Sequence, residues 1–241
     1  MFTKFRSLLR VTIFIVGAGF IYAIPLFSQD SAAVPPDENW ARTRKIDVLH
    51  MDLNLRLDMK QRFVEGCASI ILKPISVTNR IALDGAYLDI QRIEKSDGSL
   101  LSYDYDGSAR DEALVIRLDR PYQAGETLAL NVFYKTKWIN QSDPNNLWGS
   151  TGKGIRFFEP TFSEPRRRKQ AWSMAEYTSN RYWFPGHDTP DDFRTTSLAL
   201  RVDTPLTVIS NGELLKTENH IDGTRTFYWR MDTPYANHRT S

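Results

Sequence analysis

The residues best suited to chemistry in this sequence crowd into one stretch, "RYWFPGHDTPDD", Arg181 to Asp192, which holds three aromatics, two prolines, one histidine and three aspartates. Asp188, Asp191 and Asp192 are of the type that forms a carboxylate acid/base pair in glycoside chemistry. The reading adopted is that they terminate turns and start a strand, since Asp beside Pro is ordinary turn chemistry. Pro185 and Pro190 fix φ and push the residues before them away from helix. The segment therefore reads as a buried, proline-stiffened loop with a polar end.

Other chemistries fail on spacing. His50, His187, His220 and His238 never stand four apart, so no helix can present an HExxH pair on one face, and no metal site is readable. Nucleophile elbow, phosphate-cradling glycine loop and dinucleotide fingerprint are missing from the 241 residues. The single cysteine, Cys67, excludes an intrachain disulfide and a cysteine-rich zinc site, and its strand-like neighbours predict a buried, inert thiol. Lys+Arg 31 against Asp+Glu 29 leaves a formal charge of +2, too balanced a field to capture nucleic acid or an acidic membrane. The basic run "RRRK", Arg166 to Lys169, reads as a solvated loop.

The elements that must position these residues are strands. Leu49, Met51, Leu53, Leu55 and Leu57 alternate with His50, Asp52, Asn54, Arg56 and Asp58, which puts one face in a core and His50 on the solvated one. Further strands are predicted at "FVEGCASIIL", "NRIAL", "LDIQRIEK", "ALVIRL", "TLALNVFYK", "TTSLALRVD", "LTVISNGELL" and "TRTFYWRMD", the last two joined across "HIDGT". Strands this short and frequent predict an all-β fold: a mostly antiparallel β-sandwich or saddle-like sheets, preceded by an N-terminal signal or anchor helix. A composition of 41% hydrophobic and 12% aromatic residues supplies a core for it.

The first residues are of a different material. Lys4, Arg6 and Arg10 precede the seventeen-residue apolar run "VTIFIVGAGFIYAIPLF", and the first acidic residue is Asp30. That order predicts an exported chain, with 1–33 a cleaved signal or a retained membrane anchor, the one part that meets a membrane. Pro35 and Pro36 make 34–44 a linker, leaving 45–241 as the folded domain.

In "AWSMAEYTSNRYWFPGHDTPDDFRTTSLALRVDTPLTVISNGELL", followed by "TFYWRMDTPYANH", the chain resembles the N-terminal domain of zinc aminopeptidases of the aminopeptidase N family. The matching residues are Trp172 to Glu176, Arg181 to Asp192, Val208 to Leu214 and Tyr228 to Tyr235. "AGETLALNVFYK" is similar to a family strand further upstream. The resemblance implies that Glu176 anchors the free α-amino group of a peptide substrate. An ammonium in a water-poor cleft needs an anionic acceptor, and a charge-assisted hydrogen bond fixes the scissile bond as well. From the residues alone Glu176 is equally a surface carboxylate. Met174 stands where the family has glutamine, which bears on substrate preference, and Gly186 where it has cysteine.

The family's catalytic zinc belongs to a following thermolysin-like domain whose exopeptidase loop and HExxH pair do not occur in these 241 residues. The chain is therefore expected to bind no zinc, to be inactive alone, and to present an apolar patch to the missing catalytic domain. The alternative is a stand-alone secreted β-sandwich that binds peptides or glycans on a platform of Tyr182, Trp183 and Phe184.

Overall fold

The computed structural model describes residues 42–137, 153–175 and 178–241. The signal or anchor segment 1–33, most of the linker, and Glu176 lie outside the described residues. Among the described residues no helix is long and apolar enough to cross a membrane.

Twelve strands are described: β1 (Ile46–Asp58), β2 (Phe63–Pro74), β3 (Thr78–Leu83), β4 (Leu88–Lys95), β5 (Tyr103–Tyr105), β6 (Leu114–Tyr122), β7 (Leu128–Thr136), β8 (Ile155–Phe158), β9 (Gln170–Ser173), β10 (Phe193–Asp203), β11 (Glu213–Asn219) and β12 (Thr224–Ala236). They form a seven-stranded sheet in the order β11-β12-β10-β1-β2-β7-β4, a three-stranded sheet β3-β6-β5 and a two-stranded sheet β8-β9. Only β1 and β10 pair in parallel, from His50 opposite Thr195 to Arg56 opposite Arg201; the other described pairs are antiparallel. The all-β, mostly antiparallel expectation holds.

One alternation differs from its prediction. The ladder between β1 and β2 slips between Val48 and His50, so the buried set is Ile46, Val48, Met51, Leu53 and Leu55, and Leu49 is only half-buried. A β-bulge inserts one residue and inverts the phase of a period-two pattern on one side of it. In β7 no bulge intervenes, and Leu128, Leu130, Val132, Tyr134 and Thr136 are buried in unbroken alternation. Leu128, Leu130, Val132 and Tyr134 join Ile81, Leu83, Leu114 and Ile116 of the three-stranded sheet in the main core, which Trp183 and Phe184 also enter. Full burial of each such aliphatic side chain is worth about 1.5–3 kcal/mol.

"LTVISNGELL" is a strand only in its second half. Leu206 to Ser210 belong to no strand, because Leu206 and Val208 turn toward a small cluster with Val202 and Phe227 instead of alternating across a ladder. The chain then turns at Gly212 (φ +88°), where a Cβ would lie 1.9 Å from the Arg230 carbonyl oxygen. Gly212→Ala is therefore expected to lower stability toward the upper end of the roughly 1–3 kcal/mol that a strained backbone position costs. Gly98→Ala shares the positive φ (+82°) but meets nothing within 4 Å, and is expected to cost less. Urea midpoints of the two variants check the difference; equal midpoints would show that the close approach at Gly212 is relieved freely.

Candidate functional site

Pro185 and Pro190 hold the loop of Arg181 to Asp192 in an irregular path, and a 3-10 turn over Asn180–Tyr182 leads into it. Irregular backbone in a core leaves amides without ladder partners, so carboxylates must reach them. Asp84, fully buried, does most of this. It takes two bonds from the Arg42 guanidinium (2.6 and 2.7 Å) and one each from the backbone N–H of Glu112 (2.8 Å) and Asp188 (2.7 Å). Its own backbone exchanges hydrogen bonds with Gly186 in both directions, at 2.7 and 3.0 Å. Burial alone pushes Asp84 up, but Arg42 and the two amides outweigh it, and its pKa is lowered.

A second carboxylate closes the loop on itself. Asp188 accepts from the backbone N–H (3.0 Å) and Nε (3.3 Å) of Arg181, whose Nη1 donates to the Ala109 carbonyl and lies 2.8 Å from Asp111. Burial raises the pKa of Asp188, and the Arg181 contacts offset it only in part. Asp192 ends the loop: Oδ1 is 2.7 Å from Arg44 Nη2, and Oδ2 accepts the backbone N–H of Val48 at 3.0 Å. That amide sits beside the β1 bulge, where the ladder is interrupted, so Asp192 satisfies what the bulge leaves over. Burial raises the pKa of Asp192 as well.

His187 is buried with its Nδ1 3.1 Å from Arg42 Nη2. Arginine only donates, so Nδ1 must accept, and Nε2 carries the proton toward Asp191 Oδ1 at 3.1 Å. Arg194, 1% exposed, donates to Asn237 Oδ1 and Thr240 Oγ1 and lies over the Phe184 ring. Asn237 in turn donates to Asp188, and its carbonyl accepts from Asn180. No carboxylate among the described residues pairs directly with Arg194, and burial lowers its pKa.

Of the two readings of the aspartates, the network fits the turn one: Asp188 and Asp192 are 3% and 0% exposed and hold loop amides and arginines, so they present no open face as a glycosidase acid/base pair. The reading of the aromatics is corrected. Trp183 and Phe184 are 5% and 1% exposed, packed edge to face at 4.5 Å, with the indole N–H given to Asn180 Oδ1. They form core, and the aromatic binding platform does not exist; Tyr182 alone reaches the surface, stacked on Tyr87. The solvated reading of His50 also changes, since its ring nitrogens contact Thr195 Oγ1 (2.6 Å) and Ser197 Oγ (3.2 Å) across the β1–β10 seam.

Met174 lies at the end of β9, half-buried, its backbone N–H given to the Gly154 carbonyl at 2.7 Å. Glu176 falls outside the described residues. Among the described residues no group of three or more His, Cys, Asp or Glu gathers to hold a metal, and His50, His187 and His220 are each engaged in separate hydrogen bonds. The described residues thus do not fit a catalytic zinc. Sequence reading missed Arg42 and Asp84 as partners of the loop, because nothing local marks a contact between residues 145 or 104 positions apart.

A seven-stranded mixed sheet, accompanied by smaller sheets and fastened by a buried ionic loop, defines a mostly antiparallel β domain. The chain belongs to the peptidase M1 N-terminal domain family, whose profile matches residues 48–236. Among solved structures it is similar to an M1 zinc metallopeptidase from Deinococcus radiodurans, at 18% identity and a TM-score of 0.65 over 81% of this chain and 41% of that one. It is also similar to leukotriene A4 hydrolase from Saccharomyces cerevisiae, at 18% identity and a TM-score of 0.60 over 80% of this chain and 28% of that one. The chain therefore spans less than half the length of either. Among curated proteins no match is found.

Proposed function

We propose that this chain is the N-terminal domain of an exported zinc aminopeptidase, and that it anchors the amino terminus of a peptide through Glu176 while a catalytic domain supplies the zinc. The observation that carries the reading is the family match over 48–236, which contains both the "WSMAE" segment and the clamped loop. In sequence Glu176 falls between β9 and the buried Asn180, and a residue that must hold an ammonium in place needs supported flanks. A variant of the Deinococcus enzyme has been solved bound to the substrate Tyr-Ser-Ala, which supports a peptide with a free amino terminus as the ligand class. The basic, then apolar order of 1–33 supports export.

The test compares Tyr-Ser-Ala with its N-acetylated form, using this domain joined to its catalytic domain. Removing the ammonium is expected to slow hydrolysis by about 100-fold or more, as the loss of a buried charge-assisted contact does. Equal rates on the two peptides would overturn the assignment.

A further inference from the structure

The described residues do not cover the inner face of the seven-stranded sheet evenly. At the β8–β9 side an open groove of about 740 Å³ runs over Leu55 and Leu57 of β1 and Leu198, Leu200 and Val202 of β10. Leu57, Leu198 and Leu200 are only half-buried there, on the face that elsewhere forms the core. Both walls are stretches of consecutive residues. Arg168 to Ser173 line one side and Pro205 to Ile209 the other, and a run of consecutive lining residues brings its backbone to the groove as well as its side chains.

One of those backbones keeps a strand edge without a partner among the described residues. Among the described residues β9 is bonded to β8 on one edge only, and Leu206 to Ser210 belong to no strand. An unpaired strand edge is a template for another strand. Among the described residues, Arg168 and Lys169 are the only ionisable side chains lining the groove, which gives it a positive rim around an apolar floor. Ser241 lines it too, its backbone N–H bonded to Asn211 Oδ1 at 2.7 Å and its carbonyl accepting from Ser210 Oγ. The Deinococcus enzyme carries more than half of its length outside the matched part.

From these observations, and resting on the function proposed above, we propose that the groove receives an extended strand of the catalytic domain. The strand adds to the free edge of β9, lays alternate apolar side chains on Leu55, Leu198 and Leu200, and carries an acidic residue at the Arg168–Lys169 end. Edge addition supplies main-chain bonds, the floor supplies pockets for alternate side chains, and the rim sets direction. A compact apolar ligand would leave the β9 edge unpaired. A strand satisfies edge, floor and rim together.

The probe is the synthetic peptide acetyl-Glu-Val-Thr-Val-Thr-Val-Thr-Ser-amide, titrated into the full chain. Saturable binding is expected, with a blue shift of tryptophan emission from Trp172 and Trp183, and at least about tenfold slower hydrogen exchange at Gln170 to Ser173. The Arg168→Glu/Lys169→Glu variant is expected to lose about tenfold in affinity, and to regain it with a peptide carrying Lys in place of Glu. Both substitutions are on exposed side chains, and the rescue separates a charge effect from misfolding.

No saturable binding would overturn the proposal. So would binding without slowed exchange at β9, which marks a pocket for small apolar ligands. Slowed exchange that depends on protein concentration without peptide would overturn it in favour of a second copy of this chain. None of these readouts uses zinc or hydrolysis, so failure here is distinguishable from failure of the aminopeptidase reading.

Discussion

Asp84→Asn is expected to destabilise this domain by about 3–5 kcal/mol, the cost of removing one partner from a buried ion pair. The substitution keeps the shape and takes the carboxylate from the Arg42 guanidinium and from Arg181, whose Nη2 lies 3.9 Å from Asp84 Oδ1. Each oxygen accepts two of the four bonds that reach the carboxylate, so two donors also meet an amide NH2 in place of an oxygen. Against a total stability of about 5–15 kcal/mol for a domain, the loss is severe. Urea unfolding measures it, and a change below about 1 kcal/mol would mean that water replaces the carboxylate.

The pH profile gives a second reading of the same variant. Asp84 has a folded-state pKa below its ordinary value, so its contribution is complete above that ordinary value and is lost as pH falls through the lowered one. Asp188 and Asp192 have raised values, so the folded state takes up their protons first and gains relative stability as pH falls through those values. The two effects have opposite signs. In Asp84→Asn the first is removed, and stability is expected to fall less steeply below pH 4 than in the parent.

The second large effect concerns Glu176→Gln in the complete enzyme. Glutamine keeps the length of the side chain and loses the charge, so a contribution of about 2–5 kcal/mol to holding an ammonium is at stake. That corresponds to about 30- to 5000-fold in kcat/KM on a free tripeptide. The loss is expected to spare urea stability and zinc content, and to leave the slow rate on the N-acetylated peptide unchanged. Met174→Gln is expected to retain activity and to alter preference among amino-terminal residues. A Glu176→Gln enzyme that still discriminates free from acetylated peptide at the parent rate would make Glu176 a surface carboxylate.

Local pattern made much of the fold readable. Strands with unbroken alternation, such as Leu128 to Thr136, announce both their existence and their buried face. The phase error at Leu49 came from a bulge, which is a property of the pairing and has no mark in one strand's sequence. β5, β8 and β9 span only three or four residues each, too few for a period to show. At the candidate site the prolines disclosed a stiff, buried loop, yet the ions that fasten it were hidden. Arg42, Asp84 and Asp188 meet only because three separated segments converge, and each alone reads as a surface charge.

The parallel seam between β1 and β10 also bears on the order in which the chain can assemble. β2 follows β1 directly and can pair with it early, but the other edge of β1 waits for Thr195 and the residues after it, about 145 positions later. During synthesis, most of the domain must leave the ribosome before its central strand has both neighbours. Contacts this remote in sequence form slowly, and an open central edge invites pairing with other chains in the meantime. The same residues that make the finished sheet continuous thus leave its nascent form with an open central edge until β10 has been made.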